Sequence, residues 1–215
     1  MRQPRLVADI SPGYNGSSLK NFRAVGDTLY FSAFDGISGF ELWKSNGTST
    51  GTRLVKDINP GLSDADPAYL TSIGSVVFFA ANDGTSGVEL WRSNGLAAGT
   101  FRVADIHPSG SSNPRDIAVV GHTIFFAASD NTTGEELWKS NGTSATTSVV
   151  SASTNFMGSS GTNLSRVGNS LYFGAEDTAD FSNYLWKTNG LVTQHVSAAP
   201  VLDGGFEAVS AGSIS

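Results

Sequence analysis

Four short runs of consecutive large apolar residues punctuate the chain: Leu29-Tyr30-Phe31, Val77-Phe78-Phe79, Ile124-Phe125-Phe126 and Leu171-Tyr172-Phe173. Each is too short for a helix and is bounded by Gly and polar turn residues, so each reads as a β-strand. Neighbouring side chains on a strand point to opposite faces. Consecutive large apolar residues therefore predict strands covered on both sides. Around the second run the pattern predicts strands over residues 53–58, 68–73, 76–81 and 88–93. Turns separate them at Asn59-Pro60-Gly61, Gly74-Ser75, Asn82-Asp83-Gly84 and Asn94-Gly95, where Gly supplies positive φ and Pro closes the strand.

The pattern repeats. Trp43, Trp91, Trp138 and Trp186 are spaced by 48, 47 and 48 residues, and each follows a Leu. A turn Gly at 26, 74, 121 and 168 is spaced by 48, 47 and 47. Copies are expected at 5–52, 53–100, 101–147 and 148–193, with a partial fifth at 194–215. Four strands of ~6 residues with four connections of ~6 fill such a period. The expected fold is all-β: a β-propeller, or part of one, built from four-stranded antiparallel blades of about 48 residues.

The segments Glu41-Leu42-Trp43-Lys44-Ser45-Asn46-Gly47-Thr48, Glu89-Leu90-Trp91-Arg92-Ser93-Asn94-Gly95 and Glu136-Leu137-Trp138-Lys139-Ser140-Asn141-Gly142-Thr143 resemble the bacterial ELWxxDGT repeat family. Asn stands where that family has Asp, and both residues suit a turn. The fourth copy departs, with Asn183-Tyr184 before Leu185. The resemblance implies tandem arrays in exported or cell-surface bacterial proteins, and no established activity. The first residues show no apolar leader. The chain starts in the last strand of one copy, at residues 6–10, and stops inside the third strand of another. It is thus expected to be a fragment of an array with at least five blades, its further repeats being one class of partner.

Composition narrows the function classes. Charged residues are only 15% of the chain and the net charge is −6. With no basic cluster to neutralise phosphates, nucleic-acid binding is not expected. No apolar run reaches the ~20 residues of a membrane helix, so membrane insertion is not expected either. Cys is absent, which excludes disulfides and thiolate metal sites.

The candidate chemistry is repetitive. Trp43, Trp91, Trp138 and Trp186, with Phe31, Phe79, Phe126 and Phe173, are expected to form the core between blades; a sugar-stacking set is the alternative for the Trp residues. Asp35, Asp83 and Asp130, with Glu41, Glu89 and Glu136, are candidate turn caps or Ca²⁺ ligands. His107, His122 and His195 occupy unrelated repeat positions, and no nucleophile elbow or phosphate loop is present. Acids that recur in every copy favour structure over catalysis, so the chain is expected not to be an enzyme. The expected function is a repeat scaffold whose loops present a binding surface to a protein or glycan. The alternatives are a lectin-like propeller, using exposed aromatics such as Tyr14, Tyr69 or Phe181, and part of a glycoside hydrolase or lyase propeller.

Overall fold

A computed structural model describes residues 3–13, 16–150, 164–177, 182–190 and 193–196. They form sixteen strands in four antiparallel sheets, each a simple meander of four. The first sheet holds β1 (Lys20–Val25), β2 (Thr28–Phe34), β3 (Phe40–Ser45) and β4 (Arg53–Lys56). The second holds β5 (Ala68–Ile73), β6 (Val76–Asn82), β7 (Val88–Ser93) and β8 (Thr100–Arg102). The third holds β9 (Arg115–Val120), β10 (Thr123–Ser129), β11 (Glu135–Ser140) and β12 (Ser148–Val149). The fourth holds β13 (Ser165–Val167), β14 (Ser170–Asp177), β15 (Ser182–Thr188) and β16 (Thr193–His195). Short 3-10 turns at Ala97–Gly99 and Ser144–Thr146 are the helical elements among the described residues.

The first strands of successive sheets stand side by side, β1 against β5, β5 against β9 and β9 against β13. The sheets thus fan about a common axis, which is the arrangement of a β-propeller. Direct bonds tie the axial strands together. Asn21 Nδ2 donates to the Pro67 carbonyl at 2.9 Å, and the Arg23 guanidinium reaches Ser72 Oγ at 3.2 Å.

Three apolar clusters fill the spaces between sheets, and they divide the consecutive runs as strand geometry requires. Between the first and second sheets, Tyr30, Leu42, Val55 and Ile58 meet Val77, Phe79, Ala81 and Trp91. Phe78, Leu90, Val103 and Ile106 then meet Ile124, Phe126 and Ala128. Phe125, Leu137 and Val150 meet Leu171, Phe173, Ala175 and Trp186. Phe78 thus faces one neighbour and Phe79 the other. The two-sided burial expected from the sequence is the packing observed.

Two expectations are altered. The sheets straddle the sequence copies, because each sheet takes its last strand from beyond the Asn-Gly turn: β4 opens the second copy yet completes the first sheet. Residues 6–10 form no strand. An outer strand needs a ladder partner for its backbone groups, and the fourth sheet is already completed by β16. Residues 197–215, which hold nearly all of the partial fifth copy, lie outside the described residues.

Candidate functional site at the propeller axis

Two of the recurrent Glu residues clasp distant loop segments. Glu41 and Glu89 are fully buried. Glu41 accepts the backbone N–H of Ile58 at 2.9 Å and of Asn59 at 3.1 Å, pinning the segment after β4 back onto β3. Glu89 accepts N–H from Ile106 and Ser112, both at 3.0 Å, and the Ser112 hydroxyl at 2.7 Å. Burial raises both carboxyls above their ordinary range, against the pull of these donors. Burial likewise raises Glu136, which is opposed by the Thr133 hydroxyl.

The Asp residues cap their hairpin turns. Asp35 accepts from the N–H groups of Ile37 and Ser38. Asp83 accepts from Thr85 and Ser86, and Asp130 from Thr132 and Thr133. Burial would raise Asp83, but these donors outweigh it and hold the carboxyl below its usual range. The Thr133 N–H leads a set of donors that brings Asp130 down to about 2. Each of these Asp residues serves its own turn, and among the described residues no three His, Asp or Glu side chains converge on one point.

Glu41 carries a measurable pH signature. Its carboxyl is pushed up to about 8 in the fold, against an ordinary 4.5 in the open chain. The folded chain therefore holds a proton that the unfolded chain releases, and this group's contribution is complete below about pH 4.5 and is lost as pH rises through about 8. The urea midpoint is expected to fall between pH 5 and pH 8.5, and to fall less in Glu41→Gln. Equal slopes in the two proteins would show that Glu41 ionises normally.

The four Trp residues serve the core unequally. Trp91 and Trp186 are buried, while Trp43 and Trp138 are half-buried. The indole N–H of Trp138 donates to the Ala128 carbonyl and that of Trp186 to the Ala175 carbonyl, each at 3.1 Å. Among the described residues the indole N–H groups of Trp43 and Trp91 find no acceptor. Phe79, Phe126 and Phe173 are buried between sheets, whereas Phe31, equally buried, lies on the opposite face of the first sheet against Phe22.

A different residue set converges on the axis. A cavity of about 690 Å³ opens there, lined by side chains from the first strand of all four sheets, including Asn21, Phe22, Tyr69, Asp116 and Ser165. A β-bulge at one repeat position builds it. Pairing jumps between Lys20 and Arg23 on β1, and between Ala68 and Thr71 on β5. On β9 the jump lies between Arg115 and Ala118. Two residues thus oppose a single partner, the strand bends and a side chain is re-aimed. Asn21, Tyr69 and Asp116 open the three bulges at φ 57, 55 and 54. Asn and Asp tolerate that left-handed region, whereas Tyr does not. Tyr69 is nevertheless held there and is 50% exposed, with Phe22 56% exposed beside the same cavity. Arg115 pairs with Asp116 at 3.0 Å and forks onto Glu135, so the Asp116 carboxylate is anchored rather than adrift.

Of the exposed aromatics named from sequence, Tyr69 lies at the axis, while Tyr14 and Phe181 lie outside the described residues. Asn21 and Asp116 were not singled out. The available signal was their shared register with Tyr69, at spacings of 48 and 47.

No family model and no curated protein matches the chain. Solved structures do. The chain is similar to puromycin hydrolase, with a TM-score of 0.55 and 13% identity, over 85% of this chain and 30% of that one. It is also similar to a putative TolB from Agrobacterium tumefaciens, with a TM-score of 0.48 and 14% identity, over 86% of this chain and 67% of that one. A third is the β-propeller domain of the Trilobed protease from Pyrococcus furiosus, which has an open velcro topology, with a TM-score of 0.42 and 9% identity, over 84% of this chain and 71% of that one. The chain thus spans less than a third of the length of puromycin hydrolase. That likeness corrects the expectation that the chain is not an enzyme. Part of a hydrolase shares this fold, and chemistry resides in sites grafted onto a fold rather than in the repeat that builds it. Acids recurring in every copy are therefore no argument against catalysis elsewhere in the chain.

Proposed function

We propose that the chain is a rigid propeller scaffold whose axial mouth presents a binding surface, and that the ligand the mouth suits best is a carbohydrate. The observation that carries this reading is Tyr69, a bulky residue held at φ 55 with half its surface open to the axial cavity. Backbone strain of this kind costs about 1–2 kcal/mol and persists where the surroundings over-determine it, commonly at ligand sites. Aromatic faces at Tyr69 and Phe22 offer stacking to a sugar ring, and Asn21 and Asp116 place an amide and a carboxylate nearby. The sheets fix these groups while the connecting loops differ from copy to copy. Ser63-Asp64-Ala65-Asp66 in one copy stands where Gly110-Ser111-Ser112-Asn113 stands in the next. The resemblance to ELWxxDGT repeats supports placing such a scaffold on an exported or cell-surface bacterial protein.

Glycan and peptide arrays probed with the chain test this, together with Tyr69→Asn. Asn occupies the same position in the first sheet and accepts the left-handed conformation. The variant is expected to be more stable by about 0.5–1 kcal/mol and to lose glycan binding. Glycan binding that survives in Tyr69→Asn would remove the axial site, and a signal on peptides alone would assign the surface to a protein partner.

A further inference from the structure

One contact recurs at all three junctions between sheets. The ring of the second strand in one sheet lies on the turn Gly of the next: Tyr30 at Gly95, Phe78 at Gly142 and Phe125 at Gly190. A Cβ built on those glycines would meet the Tyr30 hydroxyl at 2.4 Å and ring carbons of Phe78 and Phe125 at 3.0 and 3.1 Å. Beside it, a cation of the third strand donates to that same glycine's carbonyl. Lys44 does so at 2.7 Å, Arg92 at 3.1 Å and Lys139 at 2.7 Å. Each junction thus has a donor side, with a ring and a cation, and a socket side, with a Gly and the apolar wall beneath it.

The fourth copy of the socket is open. Gly47 is the first sheet's turn Gly at φ 84, and nothing lies within 4 Å of its Cβ position. Among the described residues no cation donates to its carbonyl. The wall beneath it, with Leu29, Phe31 and Phe22, lines an apolar cavity of about 450 Å³. Val7 and Ala8 line the same cavity from the segment that forms no strand. Arg5-Leu6-Val7 repeats the Arg53-Leu54-Val55 of β4, so residues 5–8 are in register to be a last strand. The far end of the fan mirrors this. Leu185 is 50% exposed, whereas its counterparts Leu42, Leu90 and Leu137 are 0, 0 and 2% exposed.

We infer that the open face of the first sheet is a docking surface for a further blade of the same repeat, completed by residues 5–8 as its last strand. Its second-strand ring seats on Gly47 and its third-strand cation donates to the Gly47 carbonyl. This inference is independent of any ligand at the axis. It commits to a repeat blade because the socket's demands, a ring and a cation at fixed offsets from a strand of this register, are met by each donor side in the chain.

The test joins a second copy of residues 16–52 directly ahead of Arg5, with residues 5–215 retained. Residue 52 precedes an Arg-Leu-Val strand in its native place and does so again at the junction. Hydrogen exchange is read at the amides of Leu6, Val7 and Ala8. The expected result is exchange slowed roughly tenfold or more by strand pairing, with a higher melting temperature. A control carries Tyr30→Ala and Lys44→Ala in the added copy alone and is expected to lose most of both effects. Unchanged exchange, or equal protection in the control, would overturn the seating at Gly47. Sedimentation of the chain without the added copy supplies the third outcome. A concentration-dependent dimer that slows the same amides would assign the surface to a second copy of the chain instead.

Discussion

Replacing Trp91 with Ala is expected to destabilise the fold by about 3–5 kcal/mol, the usual range for a large aromatic lost from a core. Trp91 is 6% exposed and packs in the cluster that joins the first two sheets. Truncation leaves a cavity bordered by Tyr30, Leu42 and Phe79, residues fixed by strands on both sides. It also removes a ring that lies 5.7 Å below the Lys56 ammonium. The indole N–H has no acceptor among the described residues, so the loss is one of packing and not of a hydrogen bond. Trp43→Ala is expected to cost clearly less, since that side chain is only half-buried. Urea denaturation followed by circular dichroism, with hydrogen exchange to show which sheets open first, measures both variants. Equal losses for the two would mean that repeat position alone, and not the neighbouring sheet, sets the energy.

Glu89→Gln is expected to cost about 2–3 kcal/mol, although it changes one atom pair and little volume. The carboxyl of Glu89 accepts three donors from two loop segments: Ile106 N–H, Ser112 N–H and the Ser112 hydroxyl. An amide offers only one acceptor oxygen and turns its own N–H groups toward the remaining donors. A buried donor is then left unpaired, which carries the full desolvation penalty. Glu136→Gln serves as the comparison. Glu136 is 9% exposed, and no loop amide donates to its carboxyl among the described residues as Ile106 and Ser112 do to Glu89. The same substitution there is expected to cost about 1 kcal/mol or less. Melting temperatures of the two variants decide it, and a ranking in the opposite order would dismiss the clasp.

The clasp and the core explain why the sheets hold together. The axial mouth and the open Gly47 socket are the places where the chain offers surfaces that its own packing does not consume. The likeness to puromycin hydrolase speaks to the scaffold and to no particular site.

The sequence alone determined the repeat, the strands and the two-sided core. Periodic Trp, Gly and paired aromatics are local signals, and strand alternation turns them directly into opposite-facing side chains. The predicted strands of the second copy lie within a residue or two of β4, β5, β6 and β7. The Asp residues of the hairpins were legible as turn caps for the same reason, since an Asp side chain bonds amides two or three residues away. Tertiary structure alone decided the rest. Glu41 and Glu89 reach amides 17 to 23 residues distant, and no local pattern announces such a partner. Residues 6–10 have strand sequence but no strand, because a ladder needs a second edge. Asn21, Tyr69 and Asp116 share a repeat position, yet only their bulges and their approach to one axis make them neighbours. A repeat fixes what each unit can form, and contacts between units fix what each position does.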